Sequence, residues 1–158
     1  MIKGDLAKMM KTHARQGRVG AIFLRPGRRE TCRSVQLAHV NKSGLEGDHA
    51  RAGKRALTLI QAEHLSVIAE LLGRTDIAAA DLRRNIVVSG LNVLALRHQN
   101  IQVGDTMLKV HGPCPPCSRM EEVLGPGGYS AVRGHGGVYC EVLEAGSVSV
   151  GDTVSIVD

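Results

Sequence analysis

Asn100-Ile-Gln-Val-Gly-Asp-Thr-Met-Leu-Lys-Val-His111 reads as two short strands turning tightly at Gly104-Asp105. The chain ends on the same device, Ser149-Val-Gly-Asp-Thr-Val-Ser-Ile-Val157. The shared Val-Gly-Asp-Thr at 103–106 and 150–153 predicts two similar hairpin turns, although one echo is too little for a repeat array.

Working outward, further strands are expected at Arg18–Arg25, closed by Pro26-Gly27, and at Arg55–Ile60, Arg84–Ser89 and Val138–Leu143. Ser34–Val40 alternates Val35, Leu37 and His39, which puts His39 on the interior face or its rim. Leu65, Ile68, Leu71 and Leu72 recur at helical spacing over Gln61–Leu72 until Gly73 stops them, and a short helix is expected over Ser118–Leu124. About seven strands with three or four short helices, and no regular strand–helix alternation, predict a mainly β fold, a partly closed β-barrel in preference to a doubly wound sheet. This domain is expected over residues 18–158. Residues 1–17 precede it as a basic amphipathic segment, with Leu6, Met9 and Met10 set among Lys3, Lys8 and Lys11. Packing on the body is the expectation for that segment, with a membrane-surface or partner helix as the alternative.

A chain of 158 residues suits one domain. Only 2% of residues are aromatic against 43% hydrophobic, so aliphatic side chains must fill the core. The excess of 20 Lys and Arg over 15 Asp and Glu favours anionic partners. Single-stranded nucleic acids, which need aromatic stacking platforms, are set aside in favour of a small anionic cofactor or substrate. The first residues lack the pattern of a secretory signal, and no stretch approaches membrane-spanning length, so a cytoplasmic protein without membrane partners is expected. In that compartment Cys32, Cys114, Cys117 and Cys140 should be reduced thiols. Oligomeric state is not encoded in any feature of the chain.

The strongest chemical signal is Gly112-Pro-Cys-Pro-Pro-Cys-Ser-Arg-Met120, where a strand gives way to a helix. A thiol at a helix start is favoured as thiolate by unpaired amides, and Arg119 adds positive charge, so Cys117 is placed to be nucleophilic or metal-ligating. A thioredoxin-like dithiol ranks lower, because no strand–helix–strand unit surrounds the motif. Zinc is the sharper rival: Cys114, Cys117, His135 and Cys140 offer a Cys3His set for a non-catalytic module. Simple packing suits Cys32 and Cys140.

Taken together, Asp81-Leu-Arg-Arg-Asn-Ile-Val-Val-Ser-Gly90, Val103-Gly-Asp, Pro113-Cys-Pro-Pro-Cys117 and Glu141-Val-Leu-Glu-Ala-Gly-Ser-Val-Ser-Val-Gly-Asp152 resemble the MOSC domain, the C-terminal domain of molybdenum cofactor sulfurases, also found alone in bacteria. Gly44-Leu-Glu-Gly-Asp-His49 and Ala56-Leu-Thr-Leu-Ile-Gln-Ala-Glu63 extend the likeness upstream. The resemblance implies a MOSC-like barrel with one functional cysteine, Cys117. It would ligate molybdenum cofactor for reduction of N-hydroxylated compounds, or carry sulfur as a persulfide. Either role implies an outside protein, an electron donor or a cysteine desulfurase. Arg84 and Asn85 match the family's basic-Asn element and are expected to hold an anionic cofactor, with Arg83 assisting. Asp48 and His49 would form a pocket wall. Arg133 beside Gly134-His-Gly-Gly137 is an expected anion nest, with a plain loop as the alternative. A superfamily-level link to pyridoxal phosphate finds no lysine placed for a Schiff base.

Overall fold

The computed structural model describes residues 3–157. Strand β1 (Gly17–Leu24) is the hub, pairing with β6 (Ile86–Ser89) on one side and, on the other, with β2 (Arg33–Val35) late in its course and β11 (Thr153–Val157) at its start. From β11 the sheet continues through β7 (Asn100–Val103), β8 (Thr106–Pro113), β9 (Val138–Glu144) and β5 (Leu57–Gln61) back to β6. Seven strands thus close a ring, with β2 as an extra strand. The barrel closes fully where the sequence suggests partial closure, because Gly17 and Arg18 pair with Val154 and Thr153. A second sheet joins β10 (Gly146–Ser149), β3 (Leu37–Asn41) and β4 (Gly44–Leu45).

One pairing in the barrel is parallel. β5 runs through helix α2 (Ala62–Leu71) and a 3-10 turn at Ala79–Leu82 into β6, so this segment is a crossover rather than a hairpin. Both faces of β5 and β6 are consequently buried. Leu57, Leu59, Ile86 and Val88 fill the barrel with Ile22, Ile101, Leu108, Val110 and Cys140. Ile60 and Val87 face outward against Ile68 of α2, Met120 and Leu124 of α3 (Ser118–Leu124), and Val132 of α4 (Gly128–Val132). The only phenylalanine, Phe23, packs in this outer layer, so the core is aliphatic as the composition requires.

Two further expectations about the strands and turns need correction. The predicted strand over Ser34–Val40 is two strands in different sheets, and its face is inverted: Ala38 and Val40 are buried while Leu37 and His39 are exposed. The break at Gln36 resets the period of two, which flips every later side chain. Only the first Val-Gly-Asp-Thr is a hairpin turn. The second passes from β10 in the small sheet to β11 in the barrel, and the two turns pack together, with the Asp105 amide donating to the Ser147 carbonyl (3.0 Å).

Helix α1 (Lys3–Met10) packs on the body only loosely: Gly4 through Met10 are exposed, while Met9 and Met10 border a cavity shared with Leu91 and Ala95. No helix among the described residues is long and apolar enough to cross a membrane.

Candidate functional site

At the end of β1 opposite its β11 pairing lies a cavity of about 330 Å³ lined by six arginines, Arg25, Arg28, Arg29, Arg83, Arg84 and Arg119, together with His49, Ser118 and Cys117. Each element delivers its part for a local reason. β8 ends at Pro113, the prolines 115 and 116 cannot donate to a ladder, and the chain turns into α3 with Cys117 in extended conformation (φ −130°, ψ 170°) at the cap position. Cys117 is exposed, and Arg119, two residues further on in the first turn of α3, lines the same cavity. Cys114 is different. Its amide donates to the Gly137 carbonyl (2.8 Å), its side chain is buried, and burial pushes its thiol up in pKa, partly offset by Arg84, Arg55 and Arg25. Cys140 lies wholly inside the barrel, where burial keeps it protonated. Cys32 is half-buried and also raised by burial, against Arg83 and Arg25, and lines a smaller neighbouring cavity of about 130 Å³.

Arg84 and Asn85 are consecutive yet serve opposite sides. Arg84 is only 9% exposed, donates from Nε to the Gly136 carbonyl (2.7 Å) and from Nη1 to the Leu82 carbonyl (3.0 Å), and turns the rest of its guanidinium to the cavity. Gly136 and Gly137 make that approach feasible: a Cβ at Gly137 (φ +86°) would sit 2.0 Å from the Leu59 carbonyl, and one at Gly136 would press on Cys114 and on Nη2 of Arg84. Among the described residues the ion pairs are Arg25–Asp48 and His111–Glu141, so Arg84 is a buried cation held by carbonyls with no carboxylate. A charge so placed is costly unless an anion joins it.

Asn85, wholly buried, has no donor left for a ligand. Its Nδ2 donates to the Phe23 carbonyl (3.1 Å) and to Asp48 (3.2 Å), while its Oδ1 accepts from the Thr58 amide (3.0 Å). Asp48 likewise points into the wall. It receives the Arg25 amide (2.6 Å), Arg25 Nε (3.1 Å) and Arg25 Nη2 (2.8 Å). Burial opposes its ionisation, but the Arg25 hydrogen bonds and charge, with Asn85, outweigh burial and hold its carboxyl below the usual range. The expected cofactor contacts of Asn85 and Asp48 therefore become a fixed frame for Arg25. His49 does line the cavity, with Nδ1 at 2.9 Å from the Arg25 carbonyl.

Arg83 clamps the loop after β1, donating from Nη2 to the Gly27 carbonyl (2.9 Å) and from Nη1 to the Glu30 carbonyl. Arg83 (φ 55°) and Arg29 (φ 68°) both adopt left-handed backbone, a cost of about 1–3 kcal/mol each that concentrates at ligand sites. Arg133 is exposed and outside the cavity lining, and the loop after it offers a carbonyl to Arg84 rather than amides to an anion. Sequence reasoning missed Arg25, Arg28 and Arg29, although three arginines around a Pro-Gly turn at a strand end were a usable signal.

The zinc set does not assemble. Among the described residues no three His, Cys, Asp or Glu side chains converge to hold a metal ion. His135 instead meets His64 edge to face, ring centres 5.0 Å apart, and burial followed by that neighbour lowers the His64 pKa. Cys140 is committed to the barrel core.

The sequence profile of the MOSC domain matches residues 46–155. No curated protein matches the chain. Solved structures do: YuaD from Bacillus subtilis (17% identity, TM-score 0.77) covers 89% of this chain, which spans 94% of that one. YiiM from Geobacillus stearothermophilus (20%, TM-score 0.76) covers 90%, matched over 75% of its own length. YiiM from Escherichia coli (22%, TM-score 0.69) covers 89%, matched over 70%. At these identities the likeness concerns the fold.

Proposed function

We propose, from the premise that the chain belongs to the MOSC domain family, that the arginine-lined cavity binds a phosphate-bearing molybdenum cofactor with the Cys117 thiolate as a ligand to its metal. The observation that carries this reading is Arg84, a buried guanidinium without a carboxylate, opening on the same cavity as the exposed thiol. The donor set fits such a group: a soft thiolate suits molybdenum, and planar guanidinium forks suit phosphate oxygens.

When bound, the cofactor would supply a two-electron centre for reducing N-hydroxylated compounds, the activity that the family resemblance implies. The chain's own residues bind and orient. Arg84 holds the anionic part from the floor, and Arg28, Arg29 and Arg119 close on it from the rim. Arg25, neutralised by Asp48 and fixed with Asn85, keeps the wall rigid without swinging to meet the ligand. Cys117 offers its sulfur from a chain segment stiffened by two prolines, which limits the entropy lost on ligation. Reducing equivalents must come from an external donor.

Persulfide carriage on Cys117 is the second reading, favoured by the exposure of this thiol, which lets a cysteine desulfurase reach it. Protein produced in a host competent for molybdenum cofactor separates the two. The first reading expects near-stoichiometric molybdenum and pterin by elemental and fluorescence analysis, lost in Cys117→Ala and reduced in Arg84→Met. Protein free of both, yet gaining one sulfur on Cys117 by mass spectrometry after incubation with a desulfurase and cysteine, would establish the second.

A further inference from the structure

We propose that helix α1 seats the protein on an anionic lipid surface, with the Cys117 cavity held at the far end of the barrel and open to solvent. The inference is independent of what that cavity binds. Leu6, Met9 and Met10 share one face of the helix at spacings of three and four, and they are 49%, 50% and 62% exposed. Every residue from Gly4 to Met10 is exposed, and the Met10 carbonyl is tied to the body by Gln99 Nε2 (3.2 Å). A helix of eight residues is marginal on its own, so an apolar face left half exposed, beside an open cavity that Met9 and Met10 share with Leu91 and Ala95, calls for a cover.

Charge identifies the cover. Lys3, Lys8, Lys11, Arg15 and Arg18 against the single acid Asp5 give residues 1–18 a formal +4, nearly all of the chain's +5. Lys11, His13 and Arg15 also line a cavity of about 260 Å³ beside the helix, floored by Leu91, Val154 and Ile156. A second copy meeting this face would oppose like charges. A protein partner would need roughly 800 Å² on this side, more than a helix about 12 Å long can present. A bilayer needs no shape match, takes short apolar side chains at the acyl boundary, and attracts each Lys or Arg near an anionic surface. Strand β1, about 25 Å long, separates this end from Arg25 and the cavity, so seating leaves the site unobstructed.

Flotation of the full chain with vesicles of phosphatidylcholine, alone or mixed with phosphatidylglycerol, tests the proposal. Binding is expected to the mixed vesicles, to weaken with salt, to fall about thirtyfold in Lys8→Ala/Lys11→Ala, and to fall about tenfold in Met9→Ser/Met10→Ser. All four residues are exposed, so both variants should keep the parent unfolding midpoint. Absence of binding to the mixed vesicles overturns the proposal, as does equal binding of parent and both variants. Retention on an acidic protein with no binding to vesicles assigns the face to a protein instead.

Discussion

The cavity has a face and a wall, and the two use similar residues in opposite ways. On the wall, Arg25, Asp48, Asn85 and Thr58 satisfy one another in a closed network. On the face, Arg84 rests on backbone carbonyls, and neither Arg28, Arg29 nor Arg119 has an ion-pair partner among the described residues. The thiols divide likewise, Cys114 buried behind and Cys117 exposed in front. Polar chemistry that completes itself builds a site, whereas polar chemistry left incomplete is what a ligand can use.

The largest contrast should appear in thiol reactivity. Iodoacetamide is expected to modify Cys117 in the native protein at least about a thousandfold faster than Cys114 or Cys140, which react only through opening of the fold. Comparable rates by peptide mass spectrometry would erase the division. Next in size, Asp48→Asn should lower stability by about 3 kcal/mol, because it strands the Arg25 charge, seen as a lower urea midpoint at unchanged slope. Arg84→Met should cost less than about 1 kcal/mol, since removing a carboxylate-free buried cation offsets two lost carbonyl bonds. The same variant should bind inorganic phosphate about tenfold more weakly by calorimetry. A stability loss matching that of Asp48→Asn would move Arg84 to the wall.

The smallest effect concerns acid. Because Asp48 is held below its ordinary pKa of 3.8, its contribution is complete above that value and is lost as pH falls through the depressed one. The parent should therefore lose more stability than Asp48→Asn below about pH 4. Parallel acid limbs would mean that the wall carboxylate is not held ionised by Arg25.

Much of the barrel was legible in the chain, because short runs bounded by Gly-Asp and Pro-Gly turns specify strands locally, and Ser118–Leu124 is the helix expected. Closure was not, since it depends on Gly17 and Arg18 meeting residues more than 130 positions away. The thiol motif was legible as a rigid presentation of Cys117. Assigning Arg84 and Asn85 to one ligand failed for a simple reason: neighbouring residues entering a strand point to opposite sides, so only one of them can face the cavity. Arg25 stayed hidden because its importance lies in its pairing with Asp48, 23 positions on.

Arg84's suspension from two carbonyls has a practical consequence. Any anion that completes its charge binds only the folded protein and must raise the melting temperature with concentration, by about 2.7 kcal/mol of stabilisation at a hundredfold excess over Kd. Heat tolerance can thus rank candidate anions one by one, turning an arginine held by carbonyls alone into a detector of whatever charge fits beside it.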